Sequence, residues 1–326
     1  MKYRKFGDVS VSEIGLGTWQ LGADWSEVPE EEAMKILATF VNEGGNFLDT
    51  ADVYGIGISE RTLGRFLKSV DQTVYVATKL GRRQDEGNGW PANFDYGHML
   101  SHINSSLANL ELDQLFLEQL HCIPVTELQQ GKVFDNLREL QQQKLIRHWG
   151  ASVETVEEGM ICLKQEGLAS LQIIFNIFRQ TAADKLLAAA AEKNVAIIVR
   201  LPLASGLLTG KFTGDTKFAA TDHRNYNANG DAFNVGETFA GLKLTDGVAF
   251  ARQIEGLLPS GRMADWALRW ILDHPQVTTI IPGASKVQQV EENMRASDLD
   301  PLPAALHEQL KNIYEKDIKP LVRGEI

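Results

Sequence analysis

The chain reads as an α/β protein, a (β/α)8 TIM barrel with an N-terminal β-hairpin and an extra C-terminal helix, and three observations predict this. Short β-rich runs alternate with longer segments of helical period, which implies βαβ units and a parallel sheet. Eight such units favour a closed barrel over an open doubly wound sheet. The segment Gly15-Leu16-Gly17-Thr18-Trp19 lacks the Gly-x-Gly-x-x-Gly spacing that an open dinucleotide-binding sheet carries after its first strand.

The elements follow in order. Residues 3–11 form a hairpin-like segment, and strands are expected at 13–18, 46–49, 73–79, 114–121, 147–151, 171–176, 195–200 and 277–281. Apolar residues at helical spacing place helices at 30–42, 59–67, 95–110, 132–143, 153–165, 181–193, 263–272 and 287–295, one after each strand. Residues 302–314 read as one more helix packed outside the barrel. Two irregular stretches, 81–94 and 206–261, follow strand ends, where a barrel builds its active-site mouth. A single barrel commonly takes about 250 residues, so one domain over residues 1–326 is expected.

Composition narrows the function classes. A net charge of -11 disfavours nucleic acid or an anionic membrane as partner. No stretch has the roughly 18 uninterrupted apolar residues of a membrane span. The start Met1-Lys2-Tyr3-Arg4-Lys5 is basic without the apolar run of a signal peptide, so a cytoplasmic location is expected. Cys122 and Cys162 are too few for a disulfide framework, and the seven His lack metal-ligand spacing, so no metal is expected.

The chemistry lies at successive strand ends. Asp49 closes the second expected strand, Tyr54 lies in the loop after it, Lys79 closes the third and His121 the fourth, so all four face one mouth. A free phenol has a pKa of about 10, and a neighbouring ammonium, Lys79, is expected to lower it. Asp49 would keep Lys79 charged and oriented, and His121 would hydrogen-bond a substrate oxygen near the Tyr54 hydroxyl. The set suits carbonyl reduction, with Tyr54 giving the proton as hydride arrives at carbon.

The runs Gly15-Leu16-Gly17-Thr18-Trp19, Asp49-Thr50-Ala51-Asp52-Val53-Tyr54-Gly55, Ala77-Thr78-Lys79, Leu120-His121 and Ile281-Pro282-Gly283-Ala284-Ser285 resemble the aldo-keto reductase superfamily, in a bacterial branch that also resembles potassium-channel β-subunits. The likeness covers nearly the whole chain. It implies NADPH lying extended across the C-terminal face of the barrel and an Asp49, Tyr54, Lys79, His121 tetrad that reduces a small-molecule carbonyl.

The same resemblance implies cofactor contacts. Thr18 and Trp19 lie near the nicotinamide half, and Asp49 borders it; Ser152 and Gln172 hold the carboxamide. The run from Pro202, Leu203, Ala204, Ser205 and Gly206 to Lys211 grips the pyrophosphate, and Gly283, Ser285, Lys286, Gln289, Glu292 and Asn293 form the adenosine-phosphate site. Arg200 stands where many relatives carry an aromatic that stacks on the nicotinamide; its guanidinium plane could stack there or reach the pyrophosphate or an acidic substrate, and Val153 follows Ser152 where relatives carry Asn or Arg. Gln289 stands where some branches grip the 2′-phosphate with Arg, leaving Lys286, Ser285 and Arg224 for that contact. Bland roles compete: Ser152 and Ser285 could each cap the next helix, and Lys211 could be a solvated charge. Trp19, Tyr54, Trp90 and Phe94 are candidates for the pocket wall.

Two other functions fit the same frame. One is an NADPH-binding sensor or partner subunit with incidental turnover; the other is a phosphate-substrate isomerase or lyase that uses the late loops for substrate phosphate.

Overall fold

A computed structural model describes residues 1–22, 28–83, 94–218, 222, 224–225 and 235–324. Strands β1 (Tyr3–Phe6) and β2 (Val9–Ser12) pair antiparallel across a turn at Gly7, whose φ of +54° suits a residue without Cβ. Phe6 and Val11 are sealed against Phe47, Leu117, Ile198 and Ile281, so the hairpin plugs the barrel floor.

Eight strands follow: β3 (Leu16–Gly17), β4 (Phe47–Asp49), β5 (Tyr75–Leu80), β6 (Leu115–His121), β7 (Ile146–Ser152), β8 (Leu168–Ile174), β9 (Ala196–Arg200) and β10 (Val277–Ile280). They pair in parallel in sequence order. Parallel bridges from Ile14 to Ile280 and from Gly17 to Gly283 join the two ends, which makes the sheet a barrel. The expected first strand, 13–18, is thus shorter than read, because Ser12 belongs to the hairpin and Thr18 already turns into a 3-10 turn at Trp19–Gly22.

Helices α1 (Glu30–Asn42), α2 (Ile58–Leu67), α3 (Tyr96–Leu110), α4 (Val125–Gln130), α5 (Lys132–Gln142), α6 (Val156–Cys162), α7 (Leu186–Glu192), α8 (Leu244–Glu255), α9 (Met263–Leu272), α10 (Val287–Met294) and α11 (Ala304–Ile313) accompany them. The main core lies between barrel and helices, where Leu37, Phe40, Phe134, Trp149, Phe178 and Trp270 are all buried. The tail helix α11 continues into a π turn, Tyr314–Ile318, and Tyr314 and Ile318 are buried in that outer layer.

Three expectations need correction. The helix expected at 153–165 begins only at Val156, since Thr155 caps it and accepts from Glu158 N, so Ser152 is not its cap. Helix α4 was not expected; its six residues are too short for periodicity to register. Helix α8 falls in a stretch read as irregular, although Leu244, Val248, Ala251 and Ile254 repeat at helical spacing and are buried. Gly247 interrupts that pattern; a Cβ there would lie 2.9 Å from Leu207 Cδ2, so a larger residue would push the buried Leu207 side chain aside.

Candidate active site

Side chains along a strand alternate between barrel lumen and helix layer. Phe47 and Ala77 fill the lumen floor, so two residues on, Asp49 and Lys79 stand in the lumen above them. Leu117 likewise puts Gln119 and His121 on that face, and Ile198 puts Arg200 there. Register sets their heights: Lys79 pairs with Gln119, His121 with Ser152, and Ser152 with Gln172. Gly150 sits among them because a Cβ would come within 2.2 Å of Ser170 Oγ.

Lys79 Nζ donates to Asp49 Oδ1 at 2.5 Å and Thr50 O at 2.7 Å, and lies 3.5 Å from the Tyr54 hydroxyl. Gln172 Nε2 donates to Asp49 Oδ2 at 2.8 Å, with Gln119 Nε2 at 3.4 Å. Tyr54 is held in its turn by the Tyr54 N to Ala51 O and Ser59 N to Tyr54 O hydrogen bonds. Its ring stacks on Trp19 at 5.9 Å and meets His121 edge-on at 5.9 Å. The four residues of the expected tetrad are therefore brought together.

The electrostatics correct one expectation. Burial raises the Tyr54 pKa above 10.0 and outweighs the Lys79 charge, which the Asp49 carboxylate also opposes. Tyr54 consequently stays protonated as a donor. Burial alone would lower Lys79, but the Asp49 carboxylate and the Tyr54 oxygen outweigh it, so the ammonium stays charged. Burial, aided by Lys79, Arg82 and Arg200, pushes His121 well below 6.5, so its ring is neutral and can donate a single N–H.

The remaining expected residues fall into three groups. Near Asp49, the Thr18 hydroxyl is spent on Asp49 O at 2.9 Å and on Ser59, so it serves the strand ends rather than the lumen. Ser152 Oγ donates to Gln172 Oε1 at 3.4 Å, and Arg200 Nη2 pairs with Glu154 Oε2 at 2.9 Å. After β9, Leu203 is followed by Ala204, Ser205 and Gly206, all with positive φ, the kind of turn in which neighbouring N–H groups converge. Pro202 is buried beside that turn, while Lys211 is exposed.

Arg224 Nη1 reaches Ser205 O at 3.2 Å, while its guanidinium pairs with Asp222 and lies 4.2 Å from the Phe218 ring centroid. At the far end, Gly283 lies under Gln20, whose amide a Cβ would strike at 2.2 Å. Ser285 does not cap α10, whose cap residue is Lys286; its hydroxyl donates instead to Gln289 Oε1 at 3.2 Å. Lys286 is exposed, Glu292 pairs with Arg262 at 2.8 Å, and Asn293 is buried. Phe94 is buried in the main core, and Trp90 lies outside the described residues.

Gln119, Cys122, Arg82, Arg179 and Glu154 were not singled out from sequence. Gln119 carried a usable signal, two residues before His121 on the same strand face. Among the described residues, no group of three or more His, Cys, Asp or Glu is placed to hold a metal ion, and no helix is long and apolar enough to cross a membrane.

A sequence profile of the Aldo/keto reductase family matches residues 13–315. The chain belongs to the aldo/keto reductase family. As a member it is an oxidoreductase, in a family that generally works with a nicotinamide cofactor. It is 28% identical over 330 residues to a Bacillus subtilis protein described as the uncharacterized oxidoreductase YqkF, covering 98% of each. It is 26% identical over 357 residues to a probable voltage-gated potassium channel subunit beta of Arabidopsis thaliana, covering 98% of this chain and 99% of that protein. The holo form of aldo-keto reductase AKR11C1 from Bacillus halodurans superimposes with a TM-score of 0.78 at 26% identity, covering 98% and 99% of the two chains.

Proposed function

We propose that this aldo/keto reductase is an NADPH-dependent enzyme that reduces aldehydes or ketones to alcohols. The observation that carries the reading is the buried line from Asp49 through Lys79 Nζ to the Tyr54 hydroxyl, at 2.5 and 3.5 Å. A phenol so placed gives a proton without metal assistance, and the charged Lys79 stabilises the phenolate left behind. The neutral His121 beside Tyr54 orients a carbonyl oxygen by hydrogen bonding.

The residues fit the dinucleotide. Gln172 and Ser152 offer amide and hydroxyl groups at the lumen rim for the carboxamide, and the left-handed turn at Ala204–Gly206 suits a pyrophosphate. Arg224 braces that turn through Ser205 O, and Ser285, Lys286 and Gln289 would hold the adenosine phosphate. When bound, NADPH supplies hydride to the carbonyl carbon. Tyr54 Oη supplies the proton to the carbonyl oxygen, so the product is an alcohol.

The test is Tyr54→Phe, read by NADPH consumption with an aldehyde panel and by fluorescence titration of NADPH. Turnover should fall by about 10²–10⁴-fold, with cofactor affinity within about a factor of three of the parent protein. Turnover that survives the change overturns the role of Tyr54. The Arabidopsis similarity supports a second reading, a cofactor-binding partner subunit, and negligible turnover on every carbonyl despite tight NADPH binding would favour it.

A further inference from the structure

Beside the Tyr54 and His121 pair, two arginines from different strand ends face the Glu154 carboxylate and a third holds its main chain. Arg200, ending β9, pairs with Glu154 at 2.9 Å; Arg82, after β5, lies 3.7 Å from Glu154 and donates to His121 O at 3.2 Å; Arg179, after β8, donates to Glu154 O at 3.2 Å. Arg200 also donates to Val153 O at 3.1 Å and contacts the Cys122 thiol at 3.7 Å. That thiol is pushed up to about 11 by burial and is uncharged. The nearby Glu158 faces away and accepts from Glu154 N and Thr155 N at 2.7 and 3.2 Å.

Among the described residues, buried atoms of the cluster lack hydrogen-bond partners, and two arginine donors stand against one acceptor, Glu154 Oε2, which keeps its ion pair with Arg200. Arg200 Nε and Arg179 Nη1 are buried with no partner among the described residues, and so is His121 Nδ1. Burying the Arg179 and Arg200 guanidiniums beside one carboxylate is costly unless a further anion completes the set. The cluster still has an open edge: the Arg82, Arg200 and Glu154 side chains keep 16%, 15% and 25% exposure. Arg82 donates to His121 O and Arg200 contacts the thiol of Cys122, the next residue, so a group bound there sits close to the carbonyl position.

We propose that Arg82 and Arg200 bind a carboxylate carried by the carbonyl substrate, so that the preferred substrates are oxo acids. Planar guanidinium forks match a planar carboxylate, and Glu154 already seats such a group between them. Glu154 is therefore an internal competitor, and the incoming carboxylate shares or takes over its arginines. The proposal rests on the carbonyl-reductase reading for its chemistry but adds a charge requirement which that reading does not contain.

The experiment compares kcat/KM, with NADPH, for ω-oxo acids from 4-oxobutanoate upward against n-alkanals of equal chain length, on the full chain. The best acid should exceed its alkanal by about tenfold or more, the scale of a charge-assisted hydrogen bond. Arg82→Met should remove most of that preference and Arg82→Lys part of it. Glu154→Gln should enlarge it by lowering KM for the acid, a direction that loss of structure does not produce. Thermal melting checks that each variant folds.

Equal kcat/KM for acid and alkanal, or a preference lowered by Glu154→Gln as it is by Arg82→Met, overturns the proposal and leaves the reductase reading intact. If no carbonyl is reduced, calorimetric binding of 4-hydroxybutanoate against butanol decides. Acid binding that Arg82→Met abolishes keeps the anion site and removes the reductase reading; no preference for the acid overturns the site as well.

Discussion

The ammonium of Lys79 lies 2.5 Å from Asp49 Oδ1, and both side chains are almost wholly sealed from solvent at 1% and 3% exposure. Removing one partner leaves a buried, uncompensated charge, and such losses cost about 3–5 kcal/mol. Lys79→Met and Asp49→Asn should each lower the unfolding free energy measured in urea by that scale. The double variant should be more stable than the sum of the two losses predicts, because neither charge is then stranded. Strict additivity would show that the pair is not coupled in the folded protein.

The neutral state of His121 ties stability to pH. Its folded pKa lies well below the unfolded value of about 6.5, so the unfolded chain takes up a proton first as pH falls. Stability from this group is complete above about pH 6.5 and is lost below it, by up to about 1.4 kcal/mol per pH unit. His148 and His274 are depressed in the same sense and remain in any single variant. His121→Gln should therefore flatten the stability profile between about pH 6.5 and pH 5 by one group's share. Parallel profiles for the variant and the parent would show that the fold does not depress the His121 pKa.

The floor of the barrel is held by chemistry remote from the mouth. Arg4 donates to Glu13 Oε2 at 2.9 Å, to His274 O and Val277 O at 3.1 and 2.6 Å, and to Leu272 O at 2.5 Å, stitching the hairpin to the start of β10. Arg4→Ala strands the buried Glu13, leaving it the Ser297 hydroxyl and a more distant Arg269 at 3.9 Å. The loss should be about 3 kcal/mol in denaturant unfolding, with kcat unchanged within about a factor of two. A large fall in kcat at unchanged stability would contradict this separation of floor and mouth.

Much of this was legible in the sequence where local pattern suffices. Position at successive strand ends placed Asp49, Lys79 and His121 at one mouth, because each closes a short apolar run. The strand order followed from chain order, as right-handed βαβ connections require. What escaped depended on distance through the fold. The Tyr54 pKa reverses because burial and the Asp49 partner of Lys79 are tertiary facts, and the Arg82, Arg179, Arg200 and Glu154 cluster joins residues from four separate stretches of chain. Helix α8 shows a third cause, a packing glycine that hides a regular pattern.

Placement of Tyr54 depends on a residue with no side chain. A Cβ at Gly22 would lie 2.8 Å from Tyr54 C, 2.9 Å from Gly55 N and 3.1 Å from Tyr54 Cβ, so the Tyr54 turn would have to move. The obstruction is mainly backbone and cannot rotate aside as a flexible side chain would. Gly55 cannot yield either, since its φ is +58° and a Cβ there would meet Gly22 O at 1.9 Å. Gly22→Ala should thus displace the phenol from Lys79, and a shift of about 1 Å in a reacting group costs roughly 10²-fold in rate. Stability should fall by only about 1–3 kcal/mol, so the variant stays folded while kcat drops. Gly214→Ala, where nothing lies within 4 Å, is the matched control and should leave kcat untouched. Equal kcat for both variants would mean that the Gly22 contact does not set the position of Tyr54.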